Sequence, residues 1–121
     1  MAKCDEGYLC EVCGEDVADI RQSDLYLRFV IGELDPERLH RTPERHIHCN
    51  PVLAQFIADE RFQMSGSVPD GFAASELDPD YVRQRRLLVT QGWKRLLELY
   101  ELESEIPIYE YPLAEVRHKW Q

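Results

Sequence analysis

No stretch of this 121-residue chain is apolar over the length a membrane helix requires, about 20 consecutive residues. The opening Met1-Ala2-Lys3-Cys4-Asp5-Glu6 lacks the apolar heart of a secretory signal. Both features make a cytoplasmic, membrane-free protein the expectation. Basic side chains are scarce too: 14 Lys and Arg stand against 23 Asp and Glu, a net charge of −9. Gripping a phosphate backbone takes clustered cations, so nucleic acid is not the expected partner. No His-Glu-x-x-His, Gly-x-Ser-x-Gly or glycine-rich phosphate loop is present, and catalysis is not expected. No internal repeat or low-complexity tract interrupts the chain. Only four cysteines occur, and in a reducing compartment they are metal ligands sooner than disulfides.

With 44% hydrophobic and 31% charged residues, the chain is globular and long enough for one domain with its own core. Its chemistry concentrates in two short stretches. Cys10-Glu11-Val12-Cys13-Gly14 can turn two sulfurs toward one point, and the glycine supplies the positive φ such a turn needs. Far downstream, His46-Ile47-His48-Cys49 repeats the two-residue gap with a histidine and a cysteine. Together they read C-x2-C … H-x2-C, the donor set of a tetrahedral zinc. His48 competes with His46 for the third position, but adjacency to Cys49 demands an awkward turn, so the spacing favours His46. His40 and His118 have no partner at ligand spacing. Cys49 precedes a helix start at Asn50-Pro51, whose dipole is expected to favour its thiolate. Cys4 offers a rival set: Cys4, Cys10, Cys13 and Cys49 fall one residue from a plant-type 2Fe-2S spacing. The bulky, acidic Asp5–Leu9 loop disfavours that electron-carrier reading, because a cluster needs small residues and inward amides.

Elsewhere the pattern predicts a strand over residues 24–31, with Leu25, Leu27, Phe29 and Ile31 on one face and Gly32 at its end. Asp35-Pro36, Thr42-Pro43, Asn50-Pro51 and Asp78-Pro79 each place a capping side chain before a proline suited to a first helical turn. The first two predict single turns (36–40 and 43–45) and the third a helix over 51–62. The fourth predicts a long helix, about 79–103, with Val82, Val89, Trp93, Leu96 and Tyr100 as its core stripe. That helix also carries Arg83, Arg86 and Lys94 on one side, a docking strip for an acidic partner or nucleic acid, or a solvated face paired with local carboxylates. Pro107 and Pro112 bracket an expected edge strand, Ile108–Tyr111, and a short terminal helix is expected over 113–120.

The order knuckle, hairpin, second ligand pair, helix resembles treble-clef zinc domains over residues about 8–62, on Cys10, Cys13, Gly14, His46, Cys49 and the Asn50-Pro51 cap. The 32 residues from Gly14 to Arg45 are a longer insert than the pattern usually carries. The resemblance implies an α+β fold: a small zinc-bound knuckle, β-hairpin and helix, followed by a long amphipathic helix and a short extended segment. The expected division is a zinc-binding unit at 1–64, a linker at 65–78, and a helical part at 79–121 packed on the first unit. Three thiolates and an imidazole leave no open metal position, so the zinc is expected to be structural. The functional expectation is a non-enzymatic, zinc-stabilised interaction module, with a homodimer through helix 79–103 plausible on its length. A nucleic-acid-linked or transcription-associated regulator and an iron–sulfur carrier are the alternatives.

Overall fold

Helix α1, Asp24–Val30, stands where alternation predicted a strand. The only strands among the described residues are β1 (Tyr8–Leu9) and β2 (Asp16–Val17), paired antiparallel with Tyr8 opposite Val17. A third strand would have no neighbour here, and its buried amides would go unpaired, whereas a helix satisfies its own. The apparent alternation was misleading because Tyr26 and Val30 are as buried as Leu25, Leu27, Phe29 and Ile31. A helix buried on all sides loses its amphipathic signature. The truly polar residues, Asp24 and Arg28, lie four apart and form an ion pair at 2.9 Å, the spacing of neighbours on a helix. Ser23 caps the helix, its Oγ accepting from the Tyr26 amide at 3.0 Å.

The computed structural model describes residues 8–39, 41–62, 68–102 and 107–116. Cys4, His40, residues 65–67 of the expected linker, Glu103, and His118 with the rest of 117–121 lie outside them. Within these bounds the protein is mostly helical, with one long helix and almost no strand.

Helix α2 is shorter than expected, Pro51–Ala54 in place of 51–62. The Phe56 and Ile57 amides tighten to i−3 carbonyls, and the Ala58 amide leaves the helical ladder to donate to Thr90 Oγ1 at 2.8 Å. Asn50 does not cap it; its Nδ2 donates instead to Asp24 Oδ1 at 2.9 Å. Of the other cap–proline pairs, Asp35 accepts from the Glu37 amide at 2.8 Å and begins a 3-10 turn, Pro36–Arg38. Thr42 closes the preceding turn by donating to the Arg38 carbonyl at 2.9 Å, and residues 43–45 run without a turn. Asp78 caps α3, accepting from the Tyr81 amide at 3.0 Å.

Helix α3, Pro79–Leu102, lays Val82, Val89, Gly92, Trp93, Leu96 and Leu99 into the core. Tyr100, expected in that stripe, is 40% exposed and is covered instead by the Arg21 guanidinium, 3.7 Å from its ring centroid. α1 crosses α3 at Gly92. A Cβ there would overlap Cγ2 of Ile31 and approach Leu27 Cδ1 to 3.2 Å, so any larger side chain would force Ile31 to shift. Beyond α3, Ile108–Glu110 forms a 3-10 turn and not an edge strand. Its following carbonyls are taken by a side chain: Arg95 donates to the Glu110 and Tyr111 oxygens at 2.8 and 3.0 Å. Tyr111 then packs against Tyr26, and the Leu113 amide donates to the Val30 carbonyl at 2.9 Å.

Candidate metal centre

β1 and β2 hold the ends of the knuckle. The Cys10 amide donates to the Glu15 carbonyl at 2.8 Å and the Gly14 amide to the Cys10 carbonyl at 2.9 Å. Gly14 turns the chain with φ of 78°. A Cβ there would meet no neighbour, so the requirement for glycine is conformational. Residues 44–46 pass between this knuckle and the start of α1. The Glu11 amide donates to the Glu44 carbonyl and the Asp24 amide to the Arg45 carbonyl, each at 2.9 Å. His46 therefore arrives beside the knuckle already fixed on both sides, and the 3-10 turn Ile47–Cys49 follows. With three residues per turn, positions i and i+3 eclipse one another. That is the local reason why His46 and Cys49 face the same point while buried Ile47 anchors the turn.

The outcome is a cluster of Cys10, Cys13, His46 and Cys49 whose ligand atoms all lie within 4.8 Å of one another. His46 Nδ1 is 3.3 Å from Cys13 Sγ and 3.8 Å from Cys49 Sγ. A tetrahedral zinc with its ordinary bond lengths sets a sulfur–nitrogen edge of about 3.5 Å, between the two. His46 Nε2 donates to the Asp16 carbonyl at 2.8 Å. A carbonyl can only accept, so the proton sits on Nε2 and Nδ1 keeps its lone pair for a metal. His48, the competitor, stacks on His46 at 4.6 Å between centroids. Burial, and next the unfavourable placing of a second positive charge beside His46, hold its imidazole below the usual pKa.

The cysteines are unequal. Burial is the largest single influence on Cys10 and pushes its thiol up. Amide bonds from Cys13, His46 and Val12, with the Cys49 thiol, outweigh it and bring Cys10 down to about 6. Two of those amides, Val12 and His46, lie 3.4 Å from its sulfur. Cys49 moves the other way, up to about 12, through burial and then the neighbouring Cys10 and Cys13 sulfurs. The expectation that a helix dipole favours the Cys49 thiolate is thus corrected: α2 has four residues, and burial, with the crowding of sulfurs after it, pushes the thiol up. A cation is what would relieve that crowding, so these residues fit a zinc ion as its four ligands, and when bound it would cross-link knuckle to turn.

A second polar cluster, which sequence reasoning missed, backs the centre. Asp24 is fully buried. Its Oδ2 accepts from Arg45 Nε at 2.8 Å, Arg28 makes a charge contact with the same atom, and Asn50 holds the other oxygen. Buried Glu44 accepts both of its Ser23 Oγ contacts at 2.8 and 2.9 Å. Every one of Arg45, Asn50 and Glu44 stands within two residues of a ligand, so the cluster clamps the second ligand pair to α1. The signals were Ser23-Asp24 ahead of an apolar run, and the four-residue spacing of Asp24 and Arg28.

Of the expected docking strip, Arg83 pairs with Asp80, while Arg86 and Lys94 line a groove beside α3 with Thr90. No helix among the described residues is long and apolar enough to cross a membrane. Comparison with protein-family models, curated proteins and solved structures gave no match to this chain.

Proposed function

We propose that this protein is a non-enzymatic interaction module whose first part is a treble-clef-like unit stapled by one structural zinc. The single observation that carries the reading is the closed set of donors at Cys10, Cys13, His46 and Cys49. Catalytic zinc sites hold three protein ligands and keep a fourth position for water; three thiols and an imidazole occupy all four. The treble-clef comparison is supported by the knuckle between β1 and β2 and by a second ligand pair at the turn leading into α2. It is a reduced version, because α2 is a single turn. The staple joins two segments of chain 32 residues apart, and the clamp around Asp24 carries that constraint into the α1–α3 core.

Elemental analysis and the visible spectrum of protein purified without added metal test the proposal. One zinc per chain without colour is the expected result, and chelation is then expected to erase the near-UV circular dichroism of the aromatic core. Iron with inorganic sulfide would replace this reading with the electron carrier that uses Cys4. Unchanged dichroism after verified metal loss would remove the stapling role.

A further inference from the structure

We propose that the groove between α3 and the 74–77 turn binds a short acidic peptide segment of a partner protein, with apolar side chains on its floor and carboxylates on Arg86 and Lys94. The inference rests on the interaction-module reading and names the surface and the chemistry of its partner.

The groove has a volume of about 980 Å³. Much of its lining is aliphatic: Ala58, Ala74 and Leu77 on one side, Val82 and Leu87 on α3. Leu87 is 62% exposed, an apolar surface turned toward this space. Along the rim stand Arg83, Arg86 and Lys94. No acidic residue among the described residues lines it, although the chain holds 23 of them. Arg83 is tied to Asp80. Arg86 and Lys94 make no ion pair among the described residues. Asp59, the carboxylate that feels Lys94, is already engaged twice by Arg61, at 2.9 and 3.0 Å. A cationic rim on a strongly acidic molecule selects its opposite.

The walls are fixed before any partner arrives. Thr90 Oγ1 donates to the Phe56 carbonyl at 3.1 Å and accepts from the Ala58 amide, fastening one wall to the other. Gln55 donates to the Phe72 carbonyl at 2.8 Å and accepts from the Ala74 amide at 2.9 Å, which holds the far wall. A site rigid in its bound shape loses little entropy on binding.

The same features decide against other occupants. No aromatic side chain among the described residues lines the groove, so bases would find no stacking platform there. From Arg83 to Lys94 the helix rises about 16 Å. Cations spread over that distance suit several carboxylates in a row better than the single headgroup of a fatty acid. The length matches about three turns of a bound helix or about five extended residues.

The test uses the full chain, loaded with one zinc, and a fluorescein-labelled synthetic peptide of about twelve residues with Leu and Glu at helical spacing. Fluorescence anisotropy is expected to show binding that weakens at least about fivefold between about 50 and 300 mM salt. Arg86→Glu, Lys94→Glu and Leu87→Asp are each expected to weaken it about tenfold, with Arg38→Glu unchanged. Folded, zinc-loaded protein that ignores the peptide overturns the proposal and leaves the zinc staple standing. So does binding that the three groove substitutions leave unmoved, or tighter binding of a single-stranded oligonucleotide or anionic vesicles. A mass of two chains that halves on Leu87→Asp gives the groove to a second copy and likewise overturns it. Chelated protein that stays folded and still binds the peptide would sink the staple while supporting the groove.

Discussion

Nε2 of His46 donates to the main-chain carbonyl of Asp16, so the residue that completes the second ligand pair is oriented by the strand that closes the first. That one bond ties the two halves of the centre together. His46→Ala is expected to cost at least about 100-fold in zinc affinity, since even partners one step removed from a metal are worth 10–100-fold. His48→Ala, which removes only a stacked ring, is expected to stay within about threefold of the parent. Competition against a chromophoric chelator measures both, and equal losses would return His48 to the ligand set.

Asp24 is fully buried between two arginines that are themselves about a quarter exposed. Removing one member of a buried charge cluster typically costs about 3–5 kcal/mol. Here Arg28 and Arg45 can still reach water, and Asp24→Ala is therefore expected below that range, at about 2–3 kcal/mol. Urea unfolding of zinc-loaded protein checks this. A loss under about 0.5 kcal/mol, the size of an ordinary surface substitution, would show that the clamp does not hold.

Gly92→Ala sets two effects in opposition. Alanine favours a helix over glycine by about 1 kcal/mol, whereas the overlap with Ile31 is an overpacking defect of about 1–3 kcal/mol. The neighbour struck is a branched methyl in a packed core, not a flexible chain end, so the clash is expected to win by about 1 kcal/mol. A raised midpoint in thermal unfolding would mean that α1 and α3 can move apart.

Asp19 gives the pH dependence. Its carboxyl is held below the usual value, chiefly by the Arg21 side chain and also by the Arg21 amide. A carboxylate lowered in the folded state stabilises above its unfolded pKa, about 4, and that contribution fades as pH falls through the lower folded value. Asp19→Asn keeps a capping oxygen but removes the charge facing Arg21, and is expected to cost about 0.5 kcal/mol near neutral pH and progressively less below about pH 4. Urea midpoints at the two pH values make the comparison; a constant difference would assign the effect to geometry.

The cluster of Cys10, Cys13, His46 and Cys49 was legible from spacing, which favoured this set over His48: a two-residue gap works in a knuckle and again in a 3-10 turn. α3 was legible as well, from the Asp78-Pro79 start and a long apolar stripe. α1 was not, since an element buried all round has no polar face to reveal its period. The ends of α2 and of the 108–111 segment were hidden for another reason. They are decided by Thr90, 32 residues beyond Ala58, and by Arg95, whose guanidinium reaches back from α3. Such partners are invisible to any local window.

Gln55, Thr90 and Arg95 each fasten an irregular segment through one side chain and two or three hydrogen bonds. Point attachments tolerate changes of length in a way that a sheet register does not. Each anchor needs only its own carbonyl or amide in place, whatever length of chain separates the segments it joins. Variation in chain length among descendants of this protein would then accumulate between the anchors, while spacing inside Cys10–Cys13 and His46–Cys49 stayed constant.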